Sequence, residues 1–372
     1  AAVRWLVFGS YDVRRHPRVG VLVQGLRDAG DDVVEVNVPL RVDTAGRVAT
    51  LRQPWRLPAF VGQLARCWLL LALRAWRLRR ALGRGRRGGV DAVLVGYLGH
   101  FDVRLARLLF RGLPIALDHL VSAAGTARDR NLAGVGGPRA RLLRAIDTGA
   151  LRRADLVVVD TTARLAELPP PARERAVVVP VGAGAEWFAA GAGRPRWPGW
   201  PDRPLRVVFV GLFTPLHGTA TLGAALAGLA DDERIEVSMV GTGQDHRVCR
   251  RAAAGNHRIT WYDWVPAGEL PGFVAAHDVA LGIFGTTDKA YRVVPTKVFQ
   301  GAAAGCAVVT SDTEVQRQAL GDAAVFVPAG DVVALAAALR ALADAPERVA
   351  RLGAAARRRA EQCFRPVAVV AP

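Results

Sequence analysis

The chain has 372 residues, 51% of them hydrophobic and 22% charged, with 50 Lys+Arg against 33 Asp+Glu, a net charge of +17. That composition excludes a disordered polymer, and the length exceeds one ordinary core, so two domains are expected. The four cysteines, Cys67, Cys249, Cys306 and Cys363, show no C-x-x-C spacing, which argues against a zinc site or disulfide framework and for a reducing cytosol.

The sequence opens on an apolar run, VRWLVFG (3–9), without the charged head and long apolar core of a signal peptide. Similar runs follow at 32–38, 91–97, 114–118, 155–160 and 176–182, each rich in β-branched residues and nearly continuous in hydrophobicity. Strands of a parallel sheet buried on both faces read this way. Helical stretches at 17–29, 57–82, 101–111, 138–153 and 162–167 fill the gaps, so the first half predicts right-handed βαβ units. Residues 183–204 hold four prolines, four glycines and three tryptophans and read as a linker. The pattern then restarts. Strands are expected at 205–211, 235–241, 259–264, 278–284, 307–312 and 324–328, with two helices across 331–362.

The expected fold class is α/β, with two Rossmann-like doubly wound domains facing a cleft. They occupy 1–182 and 205–345, joined by the linker 183–204. A C-terminal helix and tail, 346–372, is expected to pack back toward the first domain. Ligands of such sheets sit beyond the carboxyl ends of the strands, where the strand order reverses.

The charge is uneven. Residues 1–190 hold 30 arginines and 16 acids, net +14, and residues 191–372 hold 20 basic and 17 acidic residues, net +3. The excess peaks at 52–87, which has ten arginines, no acid, and Trp55, Trp68 and Trp76. Its apolar stretch, broken by Arg66, is expected to be too short to cross a bilayer. Arginines for anionic headgroups and tryptophans for the lipid–water boundary suit an interfacial amphipathic helix instead. The other reading is a packed helix with a solvated basic end. The chain lacks a recognisable nucleic-acid reading module, so no nucleic-acid partner is expected.

Two of the 50 basic residues are lysines, Lys289 and Lys297, eight positions apart. In a chain that otherwise uses arginine, they suggest places where a compact ammonium is needed. Gly9, Gly211, Gly241 and Gly243 stand at strand ends, where glycine lets backbone amides approach a phosphate, although none completes a G-x-G-x-x-G motif. Within 278–312, a buried strand runs into a polar loop holding Lys289, Arg292 and Lys297. A helix over 296–304, with Pro295 at its start, puts Lys297 and Gln300 on one face. Three cations around one helix start form an anion site suited to a diphosphate, with Gln300 placed for ribose hydroxyls.

The second half resembles the donor domain of retaining glycosyltransferases of family 4 (glycosyl transferases group 1, GT-B fold), over most of 205–345. The resemblance rests on FVGLFTPLHG (209–218), MVGTGQD (239–245), DWVP (263–266), ELP (269–271) and KVFQGAAAGCAVV (297–309). The stretches F-x-P-L-H-G and G-I-F-G-T-T look like an actinobacterial-type branch. The first half matches more loosely, through VGYLGH and PIALDH. The chain departs from the family at the diphosphate pair, which falls on Leu212 and His217. It departs again at the E-x7-E motif, whose glutamates fall on Arg292 and Gln300.

The resemblance implies a nucleotide diphosphate-sugar as substrate and no cofactor. His217, Trp264 and Phe284 join the donor-binding candidates Gly9, Gly211, Gly241, Gly243, Lys289, Arg292, Lys297 and Gln300. Strand-end histidines and aspartates make Asp118, His100 and His119 the catalytic candidates. Asp118 is favoured because a polar acid ending a buried strand is unfavourable unless paired or functional. His16 and Arg18, just after Gly9, could also reach a phosphate. No Asp-x-Asp pair or His/Cys cluster is visible, so no metal is expected. The acceptor side points to a membrane-associated polyprenol or glycolipid, with the protein cytoplasmic and peripheral on the inner face of the cell membrane. The alternatives are transfer to a soluble secondary metabolite, a sugar-nucleotide epimerase on the same fold, and a non-catalytic nucleotide-sugar binder, which the lost glutamates suggest.

Overall fold

The computed structural model describes residues 2–14, 16–40, 53, 55, 57–81, 89–97, 99–120, 122–125, 137–193 and 203–372. They form two compact units, Ala1–Pro180 with Val370–Pro372, and Val181–Val369.

The first unit holds β1 (Arg4–Gly9), β2 (Asp32–Asn37), β3 (Ala92–Val95), β4 (Ile115–Asp118), β5 (Leu156–Val159) and β6 (Ala176–Val178). Their order is β2-β1-β3-β4-β5-β6, and every described pairing is parallel. The second unit holds β7 (Leu205–Val210), β8 (Ile235–Val240), β9 (Ile259–Tyr262), β10 (Val279–Leu281), β11 (Ala307–Ser311) and β12 (Ala324–Val327). Their order is β12-β11-β10-β7-β8-β9, again parallel. Each strand lies on an apolar run expected from the sequence. The reason is visible in β1, where consecutive Leu6, Val7 and Phe8 are all fully buried, so both faces of the strand are covered. The order reverses between β1 and β3 in one unit and between β7 and β10 in the other. Those are the places where such sheets take ligands.

The span expected as a linker contains the helix Ala185–Ala192, which belongs to the second unit and buries Trp187 and Phe188. Two aromatic anchors outweigh the loop-like composition around them. Positions 194–202 of that span lie outside the described residues. The helix Pro346–Cys363 also belongs to the second unit. It turns Val349, Gly353, Ala356 and Ala360 inward, and a side chain on Gly353 would meet the Gly305 carbonyl at 2.6 Å. Of the tail expected on the first domain, Val370–Pro372 are grouped with the first unit.

The basic segment forms the helix Leu57–Ala81. Its 25 residues make it long and apolar enough to cross a membrane, which corrects the expectation that it is too short. In the fold it is nevertheless a docked helix. Cys67, Leu71 and Ala75, spaced four apart, enter the core of the first unit, where the helix packs against β2 and the helix Asp102–Leu109. Trp68 Nε1 donates to Asp102 Oδ1 at 3.0 Å. Leu57 and Val61 in the first turns and Leu69, Leu73 and Trp76 on the opposite side are exposed, and the Arg80 guanidinium stacks 3.7 Å above the Trp76 ring. Parts of 52–87 beyond this helix lie outside the described residues.

Docking of this helix predicts an asymmetry readable by urea denaturation. Leu71→Ala should destabilise the protein by about 2–5 kcal/mol, because Leu71 is fully buried. Leu73→Ala, on the exposed side, should change stability by less than about 0.5 kcal/mol.

Candidate active site

In the second unit, the strand ends after β7 and β8 are packed backbone against backbone. Gly211 has φ 151° and Gly241 has φ 124°. A Cβ on Gly241 would lie 2.0 Å from the Gly211 carbonyl oxygen, so only glycine allows this approach. The amides of Gly211 and Gly241 donate to the Val240 and Tyr262 carbonyls, at 3.0 and 2.8 Å. The expectation that these two amides face a phosphate is therefore corrected: Gly211 is glycine because a side chain would strike Lys297 Nζ, and Gly241 because backbones meet there. Gly243 is tight for the same reason, its added Cβ falling 2.4 Å from the Phe213 carbonyl.

The helix Thr296–Ala303 follows Pro295, and Lys297 and Gln300 line one small apolar cavity with Trp187, Val210, Val274 and Leu281. Part of the Lys297 side chain is accessible, but its Nζ is fully buried and has no hydrogen-bond partner among the described residues. Nζ lies 3.7 Å from the centroid of the Phe209 ring, and a Cβ placed on Gly211 would stand 2.7 Å from it. Burial holds this amine well below the usual lysine range. The lysine thus sits at the β7 end of the reversal point. His217 flanks the same strand end, and its Nδ1–H donates to the Leu212 carbonyl. Lys289 and Arg292 are half-buried and already engage other groups.

One donor-site expectation changes. Phe284 is 1% exposed and belongs to the hydrophobic core of the second unit, so its ring cannot stack on a base. Its backbone instead closes the loop, accepting from Gly330 and donating to the His217 carbonyl. Trp264 is 74% exposed, free of the core.

In the first unit, polar groups gather beyond β1, β3, β4 and β5. Asp102 begins the helix Asp102–Leu109, and its Oδ2 accepts from Ser10 N and Oγ, both at 2.7 Å. A Cβ on Gly9 would stand 3.2 Å from that oxygen, so Gly9 contacts Asp102. Asp118 closes β4 at 2% exposure, and its Oδ1 accepts from Arg18 Nε and Nη2 at 3.4 Å. Arg18, also 2% exposed, donates to the Val179 carbonyl at 2.9 Å and to the Pro180 carbonyl as well. Arg18 is therefore an internal brace and does not reach toward a phosphate. Burial pushes the Asp118 carboxyl up, and the Arg18 charge opposes it. The neighbouring Asp160, after β5, is raised by burial to about 6. His16 stacks against Tyr97, with ring centroids 4.5 Å apart.

His100 and His119 meet edge to face, with centroids 5.4 Å apart. His100 Nε2 lies 3.1 Å from Asp147 Oδ1, out of line with a hydrogen bond. Burial, and then the neighbouring His100, lower the His119 imidazole to about 3. Burial alone would raise Asp147, but the contact with His100 and the amides of Ala123 and Ala124 hold it at about 2. Asp147 is the member that sequence reasoning missed. It lies inside the helix Pro138–Leu151, and its one signal was an isolated acid in an arginine-rich stretch.

His100, His119 and Asp147 could hold a metal ion, their donor atoms lying within 4.8 Å of one another. The expectation that no such cluster exists is corrected by the fold. Tetrahedral zinc places its ligand atoms roughly 3.3 Å apart, closer than this spread. Both Asp147 oxygens also already accept, from Ser122 Oγ at 2.8 Å, Ala123 N at 2.9 Å and Ala124 N at 3.1 Å. Asp147 is thus satisfied by protein donors, and the trio as arranged does not fit a zinc site.

Residues 204–345 match the family described as "Glycosyl transferases group 1". No curated protein matches the sequence. Among solved structures, the chain resembles sucrose-phosphate synthase from Thermosynechococcus elongatus, at 16% identity and TM-score 0.69, covering 99% of this chain and 96% of the other. It also resembles Anabaena HepE in complex with UDP-glucose, at 14% identity and TM-score 0.64, covering 98% and 96%. An α,α-trehalose-phosphate synthase (UDP-forming) from Burkholderia vietnamiensis matches at 13% identity and TM-score 0.63, covering 99% and 95%. At these identities the structures establish the fold, which is GT-B with two Rossmann-like units. Residues 204–345 thus carry a glycosyl transferases group 1 domain on a GT-B fold, which supports a glycosyltransferase enzyme.

The Arg18–Asp118 pair predicts a stability effect distinct from catalysis. Asp118→Asn should destabilise the protein by about 3–5 kcal/mol in urea denaturation, because it strands the buried Arg18 charge. A loss of transfer activity with unchanged stability would make Asp118 catalytic instead.

Proposed function

We propose that the protein transfers a sugar, with retention of anomeric configuration and without a metal ion, from a nucleotide diphosphate-sugar to a lipid-linked acceptor. The observation that carries the donor half is the buried, acceptor-free Nζ of Lys297 at the β7 end of the strand-order reversal. A charged amine there lacks a counter-ion, and a diphosphate supplies one. Lys297 would stabilise the charge that builds on the leaving diphosphate, the kind of fixed electrostatics that dominates such steps. Gln300, on the same helix face, is placed to bond ribose hydroxyls as donor and acceptor. HepE is described in complex with UDP-glucose and the trehalose-phosphate synthase as UDP-forming, which supports a nucleotide-sugar donor. Retention rests on the family 4 resemblance of the motifs at 209–218, 239–245 and 297–309.

On the first unit, His119 is the candidate for contact with the reacting groups. Its imidazole is neutral at ordinary pH, so it can accept a proton or donate a hydrogen bond. His100 and Asp147 would hold it in place, and Asp118 would act through Arg18. The acceptor half rests on the helix Leu57–Ala81. Its outward side joins Leu69, Leu73 and Trp76 to arginines with no acid, and its first turns add exposed Leu57 and Val61, as an anionic lipid surface requires. The protein would then work on the cytoplasmic face of the membrane.

Incubation with UDP-, GDP- and dTDP-sugars, followed by proton NMR of the product's anomeric coupling, tests the reaction. The donor's configuration should be kept; an inverted product would refute retention. Lys297→Ala should weaken donor binding at least tenfold, and unchanged affinity would remove the lysine from the site. Donor binding without turnover across a panel of acceptors would favour a non-catalytic binder.

Flotation with vesicles tests the membrane claim. Binding should require anionic lipid and fall in a Leu73→Ser/Trp76→Ser double variant. Equal flotation with neutral vesicles, or none with either, would refute it.

A further inference from the structure

Among the described residues, the cavity around Lys297 Nζ is lined by no acid. Phe209 faces it from β7, Val210 and Gly211 from the same strand end, Trp187 from the helix Ala185–Ala192, Val274 from the helix Leu270–Ala275, and Leu281 from β10. Gln300, one turn along, is uncharged. Across Gly211 the titratable side chain is His217, whose Cε1 would stand 3.5 Å from a Cβ placed there, and its Nδ1–H is already given to the Leu212 carbonyl. Nζ therefore has an aromatic face beside it and no hydrogen-bond acceptor among the described residues.

A cation–π contact contributes roughly 2 kcal/mol when desolvated, less than the several kcal/mol that an unpaired buried ion costs. Burial without a counter-ion therefore favours the uncharged amine in the resting site. Arginine cannot reach that state, because a guanidinium does not deprotonate in proteins. A chain with 48 arginines and two lysines keeps one lysine where a buried base must shed its proton.

We infer that Lys297 is a proton-coupled donor ligand: it is neutral in the free enzyme and takes one proton from solvent as the nucleotide diphosphate-sugar binds. The inference rests on the donor site proposed above and deepens it. The dianionic diphosphate becomes the missing counter-ion, so the ammonium is favoured in the complex and the amine in its absence. The sign follows. The complex holds more protons than the free enzyme, so donor affinity falls as pH rises, by up to tenfold per pH unit between the two titration points. Departure of the nucleoside diphosphate returns the proton, which links product release to pH in the same direction.

Calorimetric titration of the full chain with intact UDP-glucose, GDP-mannose and dTDP-glucose, in phosphate and in Tris at pH 7.5, counts the protons directly. An intact diphosphate-sugar has no group of its own titrating near neutrality. Wild type should take up close to one proton per donor bound. Lys297→Arg, checked for folding by its thermal melt, should bind with no uptake, and Lys297→Met should lose at least tenfold in affinity. Donor binding to wild type without proton uptake would overturn the inference and leave the donor site standing. Uptake that persists in Lys297→Met would assign the proton to another group and also overturn it. If none of the three donors binds, the donor site itself falls.

Discussion

A parallel sheet cannot leave either face in water, and each unit of this protein is built on one. Every strand of such a sheet needs a crossover to reach its neighbour, and the crossover helices become the cover. In both units the central strands bury side chains on both faces, each worth about 1.5–3 kcal/mol for a Leu, Val or Phe. The same constraint aligns all strand carboxyl ends on one side of each sheet. The chain must turn there, and the polar groups excluded from the strands collect there. Ser10, His100, Asp118, His119 and Asp160 gather at that edge of the first unit, and Gly211, His217 and Lys297 at that edge of the second.

The positive charge of the first unit takes a different meaning once its partners are known. Arg18 lies inside the unit, tying β4 to the chain beyond β6. Arg107 bonds Asp155 and the Arg153 carbonyl, bracing the helix Asp102–Leu109 against the start of β5. Part of the basic excess is therefore internal bracing. Even in the helix Leu57–Ala81, Arg74 and Arg79 donate to the Asn37 and Leu109 carbonyls, which leaves Arg66, Arg77 and Arg80 with the claim on an external partner in that helix. Position relative to the core separates the two uses, and composition does not.

On the proposed donor reading, the second unit would recognise a diphosphate with altered parts. Leu212, His217, Arg292 and Gln300 stand where the family 4 pattern has two cations and two carboxylates. Losing the glutamates removes negative charge from the site, and losing the usual cation pair removes positive charge, so the balance shifts onto Lys297. Its position depends on Gly211: a side chain there would strike Nζ, and a side chain on Gly241 would strike Gly211 in turn. The glycines that end β7 and β8 serve the site by leaving room for a lysine and for each other.

Much of the fold was legible in the sequence, because β-branched runs and helical periodicity are local signals. Each of the twelve strands among the described residues lies within its run, and the helix Thr296–Ala303 starts where Pro295 placed it. Composition misled at 185–192, where glycine and alanine surround two aromatic residues that are buried in the second unit. The site was legible as a list of residue types and not as an arrangement. Sequence could place Lys297 and Gln300 on one face, since three residues of a helix fix that. It could not tell that Phe284 turns into the core, that the amides of Gly211 and Gly241 are already bonded, or that Arg18, 100 positions away, neutralises Asp118. Nor could it join Asp147 to His100 and His119. The sequence by itself determined the strands, the helices and the glycines at their ends, because those follow from neighbours along the chain. Tertiary structure alone decided which charges are paired and which amine is left without a partner, because burial and Coulomb interactions depend on distance in space.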